Sequence, residues 1–209
     1  MGFIANNLPT LDDVSFGTAS GAKSYVYRLD GLTKYFQLSE PILIPANTNF
    51  KLNFTLSGNG TTLEGLMEGS DLFLRLLTDA DITFFNDNAQ MNIAGVTFAL
   101  LTLDNGYTRD GTVKKISILR DNGAIYSKIN DEDYRLDRSS ADGAFSVGTL
   151  CRYSTTYFAG LFYDFEVEID GTVTNRIPLT NKAQGATQLP TVGNVSATII
   201  NYTDTWEEV

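Results

Sequence analysis

From Phe50 to Leu56 the chain alternates without a break: Phe50, Leu52, Phe54 and Leu56 fall on one parity, and Lys51, Asn53 and Thr55 on the other. Successive side chains of a β-strand point to opposite faces, so this stretch makes a strand with one apolar and one polar side. The segment Phe162 to Asp170 repeats the pattern, with Phe165, Val167 and Ile169 set against Asp164, Glu166, Glu168 and Asp170. A strand of this kind needs a second sheet over its apolar side and solvent on the other.

The punctuation fits the same architecture. Asn59-Gly60, Asn105-Gly106, Asn122-Gly123 and Asp170-Gly171 each lie between β-favouring runs and supply the positive φ angles of tight hairpin turns. Val113 to Ile129 reads as one complete hairpin, KKISILR, then DNG, then AIYSKI. The segment Leu63 to Leu77 can be forced onto a helical period, but Gly65, Gly69 and Ser70 interrupt it. It reads as a strand, LFLRLL, preceded by an irregular loop. No linker, charge block or fixed-period repeat divides the chain. The expected fold is all-β, one antiparallel two-sheet jelly-roll sandwich over residues 26–209, preceded by an arm over residues 1–25.

Composition narrows the function by exclusion. The chain carries 15 basic and 25 acidic residues, a net charge of −10, and its only adjacent basic pair is Lys114-Lys115. Nucleic acid is therefore a poor partner, because phosphate binding needs a cationic face. With no histidine at all, Ser-His-Asp and Cys-His nucleophiles and histidine-containing zinc sites are excluded. The single cysteine, Cys151, reads as a buried, inert thiol. The N-terminus has neither a cationic nor an apolar leader segment, and no apolar run approaches the roughly 18 residues of a membrane span. These features lead us to expect a soluble protein made in a reducing cytosol, without membrane insertion.

Three stretches carry a family resemblance. Tyr35-Phe36-Gln37-Leu38 followed by Phe50 to Leu56 forms an opening pair, and Gly111 to Leu136 a central hairpin. Phe145 to Pro178, containing FSVGTLCRYSTTYFAGLFYDFEVEIDG, ends on a strand, a loop, an aromatic-x-Gly step and an apolar strand. In this order they resemble the laminin-G-like branch of the concanavalin A-like lectin and glucanase jelly rolls, of the kind found in tailed-phage virion proteins. The terminal INYTDTWEEV is similar to the tails of such phage proteins. The resemblance spans residues 30 to 209. It implies a lectin-like β-sandwich in a virion, assembled in the host cytoplasm, with capsid or tail proteins as partners.

Single residues acquire expectations from this reading. Phe158 and Gly160 are expected to pack a ring beneath a strand that passes close by. Tyr163-Asp164 should anchor a strand start, and Trp206 should tie down the C-terminus. Three chemistries are open. Glu166 and Glu168, about 6.5 Å apart as i and i+2 on a strand, could serve a retaining glycoside hydrolase, which needs two carboxylates roughly 5 to 5.5 Å apart. The order Asp-x-Glu-x-Glu-x-Asp and the lack of a nearby tryptophan favour a solvated outer face instead. Calcium could sit at Asp79, Asp81 and Asp87, or at Asp131, Glu132 and Asp133, although neither group has EF-hand spacing. A glycan, or a protein partner, could be held by loop aromatics and hydrogen-bonding groups. The first candidates are Arg152, Tyr153 and Tyr157, in Arg152-Tyr153-Ser154-Thr155-Thr156-Tyr157, followed by Tyr107, Arg109 and Asp110.

The resulting expectation is a non-enzymatic virion protein, placed at capsid decoration ahead of a tail-borne carbohydrate-binding adhesin, with a glycoside hydrolase behind both. A lone sandwich without a coiled-coil shaft suits a shell surface, where homo-oligomers gather at symmetry axes. The N-terminal arm is expected to order on a neighbouring subunit.

Overall fold

A computed structural model describes residues 24–58, 63–76, 89–100 and 111–209. Two antiparallel sheets dominate it. The front sheet runs, in spatial order, β10 (Arg135–Arg138), β9 (Ala124–Ile129), β8 (Lys114–Asp121), β3 (Phe50–Gly58), β14 (Ala159–Ile169), β1 (Tyr25–Asp30) and β18 (Trp206–Glu208). A further strand, β15 (Thr172–Ile177), pairs with the far half of β14. The back sheet runs β16 (Thr187–Gln188), β17 (Ala197–Ile200), β2 (Tyr35–Ile44), β11 (Phe145–Leu150), β4 (Glu64–Gly69), β5 (Leu72–Leu76), β6 (Ala89–Ile93) and β7 (Val96–Ala99). A two-residue ribbon, β12 (Arg152–Tyr153) with β13 (Thr156–Tyr157), stands apart from both. The fold is the jelly-roll type of sandwich that the sequence led us to expect, and among the described residues the first paired strand begins at Tyr25.

The alternation decides which side of each strand is covered. In the front sheet Phe50, Leu52, Phe54 and Leu56 point inward with Ile116, Ile118, Phe162, Phe165 and Val167. They meet Phe36, Leu38, Leu74, Met91, Phe145 and Val147 of the back sheet in one continuous cluster. Rings cross the gap directly, Phe50 lying edge-on to Phe145 at 5.1 Å and Phe36 at 6.5 Å from Phe162. Each fully buried ring or aliphatic side chain contributes on the order of 1.5–3 kcal/mol.

One inward position breaks the apolar rule. The inner face of β8 reads Ile116, Ile118, Arg120, and the Arg120 side chain is fully buried. Its guanidinium donates to the carbonyls of Pro45, Thr48, Ala141 and Gly143 at 2.6 to 3.2 Å and stacks over the Phe50 ring at 4.9 Å. Burial pulls its pKa below the usual guanidinium value, while Asp142 and Asp170 oppose that pull. A buried cation is tolerated only where its donors are satisfied, as they are here by backbone oxygens.

The turn and anchor expectations can be checked one by one. Asn122-Gly123 (φ 48° and 83°) and Asp170-Gly171 (φ 46° and 79°) form the two-residue hairpins they were expected to form. Asn59-Gly60 and Asn105-Gly106 lie outside the described residues. Phe158 is fully buried, and a Cβ on Gly160 would collide with the Ser57 carbonyl. Cys151 is buried, and burial beside Glu64 pushes its thiol pKa well up. Trp206 packs edge-on to Tyr27 at 5.4 Å, closing the sheet at β1.

Two expectations are corrected. The stretch before LFLRLL is no irregular loop: Glu64–Gly69 is β4, paired with both β5 and β11. Its alternation is hidden because a register shift between Gly65 and Met67 puts an extra residue in the strand, and Glu64 through Met67 are all buried. Tyr163-Asp164 does not start a strand either. It sits in the middle of β14, where the two residues between Tyr163 and Glu166 span the one between Thr55 and Asn53. Asp164 is the bulged residue, with φ 53°, and it leaves Phe162 and Phe165 both facing the core.

Candidate functional site

The bulge sets up the outer face of the front sheet. Beyond it, one residue from each of five neighbouring strands lies in register: Arg176 opposite Glu166, Glu166 opposite Asn53, Asn53 opposite Ser117, and Ser117 opposite Lys128. Side chains directly opposite one another on a sheet face lie within reach, and here they connect. Arg176 binds Glu166 through both Nε, at 2.6 Å, and Nη2. Asn53 Nδ2 donates to the other Glu166 oxygen at 3.0 Å, and Ser117 Oγ donates to Asn53 Oδ1 at 2.7 Å. Ser117 has spent its proton there, so Tyr134 OH is the donor in the 2.7 Å contact with Ser117 Oγ. Every donor in the row points toward the Glu166 carboxylate, the arrangement in which successive hydrogen bonds polarise one another.

Around this row lies an open depression of about 420 Å³, lined by Lys51, Asn53, Thr55, Lys115, Ser117, Lys128, Asn130, Tyr134 and Asp164. Lys51 reaches Glu168 at 3.1 Å, and Lys128 lies over the Tyr134 ring at 4.9 Å. Asn130 Oδ1 accepts from the Lys115 backbone at 3.0 Å. The bulge turns the Asp164 carboxyl toward the same hollow. Burial raises its pKa above the ordinary aspartate value, and Lys115 and Arg176 pull the other way. The arrangement combines a tyrosine wall, a rigid polar floor and flexible ammonium groups, the kinds of group that hold a hydroxyl-rich ligand.

The carboxylates weighed for hydrolysis belong to this face. Glu166 and Glu168 occupy neighbouring outward positions, as their spacing requires, and each is engaged by a cation: Arg176 for Glu166, Lys51 for Glu168.

The residues favoured for ligand contact lie elsewhere. Arg152, Tyr153 and Tyr157 form the small ribbon, which packs over the outer face of the back sheet. Tyr153 contacts Phe73 at 4.8 Å, with Arg75 over both rings, while Arg152 lies over Tyr35 at 4.9 Å and Tyr35 is 6.0 Å from Tyr157. Glu68 accepts from the Ser154 backbone at 3.2 Å and faces Arg152 at 4.0 Å. These side chains are half-buried against one another, and the ribbon covers the sheet beneath it. Tyr107, Arg109 and Asp110 lie outside the described residues, as do Asp79, Asp81 and Asp87. Asp131, Glu132 and Asp133 occupy the exposed turn after β9, and no group of three or more carboxylate or cysteine side chains converges on a metal-sized site among the described residues.

Lys51, Asn53 and Thr55 were recognised in the sequence only as a polar face. Ser117, Lys128 and Tyr134 were not singled out. What could have found them is the coincidence of amide, hydroxyl and lysine on the outward positions of adjacent hairpin strands, once β3 and the hairpin are paired.

No protein-family model matches the chain, and no curated protein matches it significantly. Among solved structures the fold is similar to one described as a "putative carbohydrate binding protein" from Bacteroides ovatus, with a TM-score of 0.57 and 11% identity. The match covers 86% of this chain and 60% of that one, so the chain spans less than two thirds of its neighbour's length.

Proposed function

We propose that the chain is a non-catalytic glycan-binding module that uses the outer face of its front sheet. The observation that carries this reading is the row Arg176–Glu166–Asn53–Ser117–Tyr134, a set of fixed hydrogen bonds beneath an open, ring-walled hollow. A preformed polar floor loses little entropy when a sugar settles on it. The carbohydrate-binding description of the structural neighbour agrees with the proposal at the level of the fold. The engagement of Glu166 and Glu168 by cations supports binding over hydrolysis. In the virion setting that the laminin-G-like resemblance implies, such a module is an adhesin repeated over a shell or tail, where many weak contacts add up to useful avidity.

A multivalent form displayed on a glycan array should bind, and Tyr134→Ala should abolish binding without changing the melting temperature by more than a few degrees. Silence of the wild type across the array would reject the proposal. Release of reducing sugar by the wild type but not by Glu168→Gln would replace it with the hydrolase reading.

A further inference from the structure

We infer that the hollow selects acidic saccharides, those carrying a carboxylate or sulfate on the ring; this rests on the glycan-binding reading. The chain as a whole is anionic, with a net charge of −10, yet the hollow is lined by three lysines, Lys51, Lys115 and Lys128, and by one carboxylate, Asp164. The two neighbouring carboxylates are already balanced, Glu166 by Arg176 and Glu168 by Lys51, which leaves Lys115 and Lys128 against Asp164 alone. A cationic patch maintained on an acidic surface attracts anions locally while the rest of the molecule repels them.

The unused hydrogen-bonding groups agree. Asn53 spends both ends of its amide within the row, and Ser117 both donates and accepts there. Asn130 spends its oxygen on the Lys115 backbone, leaving its NH2 free to donate. The groups left for a ligand are chiefly donors, the Lys115 and Lys128 ammonium groups and the Asn130 amide. The Thr55 hydroxyl can donate or accept, and the Asp164 carboxyl is placed to take a sugar hydroxyl. Lys115 and Lys128 are diagonal neighbours across β8 and β9, because Ser117 lies opposite Lys128; such positions are about 7–8 Å apart. Two lysine side chains rooted that far apart can bring their ammonium groups to one anionic substituent.

The test compares polygalacturonate, dextran sulfate and neutral dextran by titration calorimetry at about 0.15 M salt, where diffuse attraction is largely screened. The two acidic polymers separate a carboxylate preference from a sulfate preference. At least one of them should bind no less than tenfold more tightly than neutral dextran. Lys115→Gln and Lys128→Gln should each weaken that binding about tenfold, the value of one charge-assisted hydrogen bond, while Lys182→Gln, which pairs with Asp204 and does not line the hollow, should leave it unchanged. On the wild type alone, the bound polymer should shield Lys115 and Lys128, but not Lys182, from an amine-acetylating reagent, read by mass spectrometry. Equal or tighter binding of neutral dextran would overturn the selectivity and keep the glycan-binding reading. Binding of acidic polymer that ignores both lysine changes, with no shielding, would likewise overturn the selectivity. Silence toward all three polymers and a glycan array together would remove both.

Discussion

The outer faces of the two sheets have met the same problem in different ways. Each presents polar and aromatic side chains from mid-sheet strands, where a large uncovered surface must be either solvated or capped. The back sheet is capped. Gly65 on β4 lets the Arg152–Tyr157 ribbon descend onto the strands, and Tyr35, Phe73, Arg75, Tyr153 and Tyr157 close into a packed layer. The front sheet stays open, and its polar groups satisfy one another sideways from Arg176 to Tyr134. An aromatic and arginine cluster in a sequence can therefore serve packing within the fold. Here the aromatics form the lid, and the quieter row of amide, hydroxyl and lysine is left facing outward.

The comparison can be broken most severely at Gly65. A Cβ there would collide with the Tyr153 backbone nitrogen, so Gly65→Val should lift the ribbon and cost about 3 kcal/mol in chemical denaturation. Saccharide binding on the opposite sheet should survive in the folded fraction; its loss would mean the two faces are coupled. On the open face, Ser117→Ala cuts the row in the middle, leaving Asn53 Oδ1 and Tyr134 OH without their shared partner. That change should cost about 1–2 kcal/mol of stability and weaken ligand binding as well, read by denaturant titration and calorimetry.

The third prediction runs the opposite way. Thr149, outward on β11 under the capped layer, has a buried hydroxyl with no hydrogen-bond partner among the described residues. Thr149→Val keeps the shape and removes the stranded group, so the melting curve should shift upward, by up to about 1 kcal/mol. A loss of stability there would show that the hydroxyl is satisfied after all.

The smallest expected effect is at Asp164. Its pKa lies above the ordinary aspartate value because burial penalises the charge. The folded state therefore prefers the protonated form: the contribution is present below the unfolded pKa and is lost as pH rises through the folded one. Asp164→Asn, which tolerates the positive φ, should flatten that part of the stability–pH curve and change neutral-pH stability by no more than about 0.5 kcal/mol. An unaltered curve would show that the carboxyl does not sense its burial.

Most of the architecture was legible because Phe50 to Leu56 and the Lys114 to Ile129 hairpin each carry their covered and open faces in plain alternation. β4 was not, because burial on both sides and an extra residue erase the period. The site was legible only in pieces. Lys51, Asn53 and Thr55 announce a polar face, but strand β3 gains its neighbours β8 and β14 through pairings no nearer in the chain than that of Leu56 with Lys114, and Tyr134 arrives from the turn beyond β9. No local signal ranks such a row above the Arg152–Tyr157 loop, whose aromatics are conspicuous in sequence and occupied in the fold. Arg120 was equally invisible, since its carbonyl partners come from loops distant in the chain.

The single extra residue in β14 also makes the chain tolerant of one length change and intolerant of the next. Removing Asp164 alone would set Phe165 opposite Phe54 and keep Glu166 opposite Asn53, turning the bulge into regular strand. Removing Asp164 and Phe165 together would turn Glu166 and Glu168 into the core and Val167 and Ile169 out toward solvent. Deleting one residue at that position should thus do far less harm than deleting two.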